Sequence, residues 1–168
     1  MRRSLLLISI MFFSLFRTQA APLQVGAPAP TLSAIDQDGK PLALADIYAK
    51  GTTLVYFYPK AETPGCTAQA CSLRDSFSSL QQDGLQIIGV SKDKPEAQKK
   101  FQARHNLPFP LIADTDGKIA EAFGVPTTLG FTSRQSFLVK DGKIVWMSPK
   151  AGTSNHAAEV RAALEGLN

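Results

Sequence analysis

The sequence predicts one α/β domain, a central mixed β-sheet flanked by helices. Three observations carry that prediction. Two short runs, TTLVYFY at 52–58 and LQIIGV at 85–90, are dominated by β-branched, aromatic and aliphatic residues, as strands buried on both faces are. Each is followed by a helical stretch opening near a proline, Pro64 and Pro95, whose fixed φ suits a first helical turn. Late in the chain Asp141-Gly142 stands between two apolar runs, a hairpin signal that adds antiparallel strands to the parallel pair. At 168 residues with 44% hydrophobic and 19% charged side chains, one domain can bury a full core without staples. Two cysteines exclude a disulfide-framework mini-protein and any four-cysteine metal site.

The chain begins with Arg2 and Arg3, an apolar run at 5–16 broken only by Ser9 and Ser14, then Arg17-Thr18-Gln19-Ala20. A basic start, an apolar block and a small residue form the pattern of a secretory signal cleaved near Ala20. A membrane span needs about 20 apolar residues, and this run has 12. The expected organisation is a signal over 1–20 and a domain over 21–168, exported to the periplasm. The formal net charge of +4 then loses its meaning for nucleic acid. Removing Arg2, Arg3 and Arg17 from the 18 basic residues leaves 15 against 14 acidic ones.

Within the domain the elements follow in order. Residues 31–35 alternate weakly, and Asp38-Gly39 turns them into 41–44, an N-terminal β-hairpin extension. The buried run 52–58 leads into a helix over 64–83, stopped by Gly84. The strand at 85–90 is followed by a helix from Pro95 to about 105. A short strand at 111–113 precedes a short helix over 118–123, ended by Gly124. Residues 135–140 and 143–147 make the second hairpin, and Asn155 caps a last helix to 164. Strand–helix–strand–helix, then hairpin and closing helix, places helices on both faces of the sheet.

The two cysteines, Cys66 and Cys71, come directly after the first buried strand. Thr63-Pro64 is the pair expected at an N-cap and first helical position, so Cys66 falls in the first turn, where free N–H groups and the dipole favour a thiolate. Cys66, Ala70, Leu73, Phe77 and Leu80 form one helical stripe toward the core. Cys71 lies about 140° around the helix, on its outer side. Five helical residues separate Cα atoms by about 8.7 Å, beyond the roughly 7 Å limit of a disulfide. Pairing therefore requires the first turns to unwind.

The motif PKAETPGC at 59–66 matches the peroxiredoxin pattern of Pro, three residues, Thr, two residues, Cys. The longer stretch YFYPKAETPGCTAQACSLRD resembles the peroxiredoxin Q, or bacterioferritin comigratory protein, group, whose second Cys lies five residues on in the same helix. The resemblance extends through LPFPLIAD, AFGV and SRQSFLV to the closing helix, while 126–133 matches no pattern. It implies a thioredoxin-like fold and a thiol peroxidase without a cofactor. Its substrates would be hydrogen peroxide and organic hydroperoxides, with a thioredoxin or thioredoxin-like protein as reductant; a monomer is expected. Cys66 would be the peroxidatic and Cys71 the resolving cysteine. Thr63 and Arg134 would be the activating partners, with Arg134 opening the strand that continues to Leu138, and Pro59 would wall the thiol from water.

The chemistry requires more than a thiolate. Bringing a thiol pKa from about 8.5 to about 6 raises the thiolate fraction at pH 7 from roughly 3% to 90%, only about thirtyfold. Donors aimed at the breaking O–O bond must supply the rest, and the Thr63 hydroxyl, the Cys66 N–H and the Arg134 guanidinium are the expected set. His105 and His156 are expected to be solvated, Asp114 and Asp116 to cap the helix after them, Glu62 and Lys60 to tune charge near the thiol, and Trp146 to pack. Two alternatives stay open. A disulfide oxidoreductase would use Cys-x-x-Cys, where this chain has four intervening residues, and a metal carrier would need histidine ligands beside the thiols.

Overall fold

The computed structural model describes residues 23–167; the expected signal at 1–20 lies outside them. The first hairpin pairs β1 (Ser33–Ile35) with β2 (Pro41–Ala43). Asp36 Oδ1 closes its turn by accepting from the amides of Asp38 and Lys40 at 2.8 and 2.9 Å, with Gly39 at φ +73°. Leu44 does not continue the strand as expected but opens a helix, α1 (Leu44–Tyr48), because Leu44 and Ile47, three apart, both bury against the sheet.

Next come β3 (Thr53–Phe57), α2 (Pro64–Asp75) and α3 (Phe77–Gln82). The single helix expected over 64–83 is therefore two. The break falls at Ser76, whose backbone at φ −100° and ψ 2° leaves the helical region for one residue before the ladder resumes with the Leu80 amide donating to the Ser76 carbonyl at 3.0 Å. The rest of the chain follows expectation closely: β4 (Gln86–Ser91), α4 (Pro95–Arg104), β5 (Leu111–Ala113) and α5 (Lys118–Ala122). The unmatched segment 126–133 forms a small hairpin of β6 (Thr127–Thr128) and β7 (Phe131–Thr132), with Leu129 and Gly130 both at positive φ in its turn. The chain closes with β8 (Ser136–Lys140), β9 (Lys143–Ser148) and α6 (His156–Glu165).

The five-stranded sheet has the order β5-β4-β3-β8-β9. Strands β3, β4 and β5 are parallel, and β8 and β9 add antiparallel on the other side of β3. Central β3 is buried along its whole length, and its alternating side chains divide the core. Leu54 and Tyr56, with Tyr58 just beyond, pack with Cys66, Ala70, Leu73 and Leu80 from α2 and α3, Phe101 from α4 and Val160 from α6. Val55 and Phe57 face Leu44 and Ile47 of α1, Ile119 and Ala120 of α5, and Phe137. Gly89 lies opposite Tyr56 in the register, and a Cβ there would stand 2.7 Å from the Tyr56 hydroxyl, so only glycine lets that ring lie across β4.

This arrangement puts the chain between β3 and α2 at the carboxyl end of the parallel strands, where open α/β sheets bind ligands. The loop is tied down on two sides. The Ala61 amide donates to Asp93 Oδ2 at 2.8 Å, and the Thr132 hydroxyl of β7 donates to the Tyr58 carbonyl at 2.8 Å.

Candidate active site

Pro64, Gly65 and Cys66 occupy the first three positions of α2, and Cys66 is buried at 1% exposure. The first amide bonded back along the helix is that of Thr67, to the Thr63 carbonyl at 2.9 Å, so the Gly65 and Cys66 amides stand ahead of the ladder at the positive end of the dipole. Cys71, on the same helix, is half-buried, and both thiols are free. Burial thus separates them as the helical spacing predicts.

Thr63 has the extended backbone of an N-cap, but its hydroxyl does not cap the helix. It donates to the Lys60 carbonyl at 3.0 Å, so its remaining capacity toward a ligand is as an acceptor. This corrects the expectation that Thr63 donates to the breaking bond. Pro59 is half-buried in the loop after Tyr58.

Arg134 lies just before β8 instead of opening it, since pairing starts at Ser136. From there Nη2 donates to the Cys66 sulfur at 3.3 Å, across 68 positions of sequence. Its Nη1 donates to Gln69 Oε1, one turn along α2 from Cys66. Gln69 is fully buried, and its Nε2 lies 3.2 Å from His156 Nδ1. His156 Nε2 in turn lies 2.9 Å from the Ser136 hydroxyl. His156 is thus not solvated as expected. It has no exposed surface, its ring stands edge-on to Tyr56, and burial, assisted by the Arg134 charge, lowers its pKa from 6.5 to about 4. The expectation failed because the first turn of α6 packs on α2, where the Ala157 amide donates to the Ser72 hydroxyl at 3.1 Å. Asn155 holds the N-cap position of α6, yet its side chain turns to Glu159 at 3.0 Å instead of capping.

The other side of the loop is charged. Glu62, at φ +63°, meets His105 Nε2 at 3.2 Å and Arg104 Nη1 at 3.4 Å, so His105 is paired where solvation was expected. The Lys60 ammonium sits 5.6 Å from the centroid of the Phe131 ring on the β6–β7 hairpin. Asp114 caps α5 as expected, accepting from Ile119 and Ala120 at 3.0 and 2.9 Å, and Asp116 accepts from the Lys118 amide at 3.2 Å. Trp146 packs against the core. Gln69 and His156 are the site residues that sequence reasoning missed. The available signal was Gln69 at three residues past Cys66, on the helix face turned toward the sheet.

The AhpC/TSA family matches residues 25–147. Peroxiredoxin Bcp of Escherichia coli K12 is 43% identical over 143 residues, 80% of this chain and 91% of its own. Among solved structures, peroxidoxin BcpB of Mycobacterium tuberculosis superposes with a TM-score of 0.81 at 30% identity, covering 87% of this chain and 99% of that one. The bacterioferritin comigratory protein of Xanthomonas campestris, described with alkyl peroxide reduction activity, gives 0.78 at 29% identity over 88% and 98%. With a buried first-turn cysteine under an arginine, a thioredoxin-like sheet behind it and relatives at this identity, the chain belongs to the AhpC/TSA family, as a peroxiredoxin of the Bcp and peroxiredoxin Q group.

Proposed function

We propose that this peroxiredoxin reduces hydrogen peroxide and organic hydroperoxides through Cys66, and the observation that carries the reading is the Arg134 Nη2 donor 3.3 Å from the Cys66 sulfur. The Cys66 thiolate attacks one peroxide oxygen. The O–O bond breaks, the departing oxygen leaves as hydroxide or alkoxide and takes a proton, and the sulfur, oxidised by two electrons, becomes a sulfenic acid. Arg134 and the Cys66 amide are placed to donate to the oxygens as charge develops, and a preorganised donor of this kind is worth about a hundredfold or more in rate. The Thr63 hydroxyl, already donating to Lys60, offers a lone pair to the peroxide O–H. Pro59, which has no N–H, closes the loop side of the thiol without adding a polar group.

Cys71 resolves the intermediate. Its thiolate attacks the Cys66 sulfur, hydroxide leaves as water, and a disulfide forms. A dithiol reductant of the thioredoxin type then attacks that disulfide, returning both thiols and carrying the disulfide away. A metal carrier would need histidine ligands beside the thiols, whereas the His156 ring is held between Gln69 and Ser136 and His105 is paired with Glu62. Cys66→Ser should abolish dithiol-dependent peroxide consumption, and residual turnover above a few per cent would refute the assignment. Cys71→Ser should consume about one peroxide per chain and then stall.

Residues 1–20 are read as a secretory signal and 21–168 as the working domain, a monomer in the periplasm with a thioredoxin-like reductant there. The basic start, the apolar run at 5–16 and the small Ala20 support this reading. Native mass spectrometry of the exported protein should give one chain beginning near Ala21; an intact N-terminus or a dimer would contradict it.

A further inference from the structure

Three polar side chains, Gln69, Ser136 and His156, have no exposed surface and are linked to one another inside the core. Burying such groups costs free energy unless every donor finds an acceptor, and an apolar trio would fill the same space without that requirement. Their hydrogen bonds run in one direction. The Arg134 guanidinium has only donors, so the Gln69 oxygen must face it, and the Gln69 nitrogen is left to donate. The atom it meets is His156 Nδ1, which must then carry a lone pair. The proton of the neutral ring therefore sits on Nε2 and is donated to the Ser136 hydroxyl at 2.9 Å. Each link fixes the orientation of the next, and the line ends on the nitrogen pair of Arg134, one of whose members touches the Cys66 sulfur.

We propose that His156 is a positioning residue for peroxide reduction: through Gln69 it fixes the guanidinium plane of Arg134 against Cys66. The proposal rests on the reading of Arg134 as the donor to the reacting peroxide. Without the Nδ1 acceptor, the Gln69 amide loses the contact that distinguishes its two ends. A flipped amide would set its N–H groups against those of Arg134 and drive the guanidinium off the sulfur. A displacement of about 1 Å at such a donor can cost on the order of a hundredfold in rate.

The test is a double-mutant cycle on the full chain, reading the second-order rate constant for oxidation of Cys66 by hydrogen peroxide. His156→Phe should slow that step at least tenfold in the presence of Arg134 and add less than threefold to the loss already caused by Arg134→Ala. His156→Asn, whose side-chain oxygen can stand where Nδ1 stands, should recover a rate within about threefold of the unmodified protein. Nitrogen-15 NMR of the unmodified reduced protein should show the His156 proton on Nε2, a readout that needs no variant to fold. Additive losses, an unslowed His156→Phe, or a proton on Nδ1 would each overturn the proposal. An Arg134→Ala variant at full rate would instead refute the role of Arg134 itself, and the relay with it.

Discussion

Gly65 sets how closely Arg134 can approach the thiol. A Cβ at this position would stand 3.3 Å from Arg134 Nη2, the same nitrogen that donates to Cys66, and 3.6 Å from Thr153 Cγ2. Such a contact is tighter than side chains ordinarily accept, so the guanidinium would give way by a few tenths of an ångström. In a helix, alanine is favoured over glycine by up to about 1 kcal/mol. Gly65→Ala should therefore leave the unfolding midpoint unchanged or raised while slowing peroxide turnover roughly fivefold to tenfold. Equal losses in stability and rate would show a packing defect instead. The residues at this scale were unevenly legible. Cys66 and Cys71 could be placed from helical spacing alone, because burial follows the angle around the axis. Local sequence does not distinguish Arg134 from an exposed cation at a strand start, since its partner lies 68 positions away, and only the resemblance singles it out. His156 was misjudged for the same reason: the groups that neutralise its polarity come from α2 and β8, and local sequence carries no trace of them.

At the scale of elements, α2 carries the cycle. Cys66 and Cys71 can join only if the first turns of the helix open, and Gln69 lies between them while Ser72 follows directly. Both of those side chains hold the start of α6, through His156 and the Ala157 amide. Forming the disulfide should therefore loosen α2 and the first turn of α6 together, while Leu73 stays docked in the core. Hydrogen exchange on reduced and oxidised protein should show amides at 68–72 and 157–159 losing protection on oxidation, and those of β4 keeping theirs. Equal protection in both forms, with the intramolecular disulfide confirmed by mass, would mean that the thiols meet without unwinding. The helix start was readable from Thr63-Pro64, but its end was not. Ser76 interrupts the helix only through its own backbone angles, φ −100° and ψ 2°, and the apolar stripe runs on past it, so periodicity alone carries the helix through to Asp83. The β6–β7 hairpin was missed for a related reason, because two-residue strands offer no period to detect.

Across the whole molecule, the sheet was legible because β3, β4 and β8 are buried enough to read as continuous apolar runs, whereas the layout of polar groups inside the core was not. That hidden layout makes stability depend on pH. Burial, with Arg134 nearby, holds the folded-state pKa of His156 at about 4 against 6.5 for an ordinary histidine. Between these values the unfolded chain binds a proton that the folded protein excludes, so stability is complete above about pH 6.5 and falls as the pH drops toward 4. One such group gives a loss of about 2 kcal/mol between pH 8 and pH 5. Asp114 acts in the opposite sense. Burial raises its pKa above 3.8 despite its two amide donors, so protonation near the bottom of the range favours the folded state and the His156 effect is best read above pH 5. Urea unfolding at pH 8 and pH 5 should show the full loss in the unmodified protein and a smaller one, by about 2 kcal/mol, in His156→Asn, where nothing at that position titrates. Parallel losses in the two proteins would place the acid sensitivity elsewhere and show that His156 can be protonated in its folded surroundings at little cost.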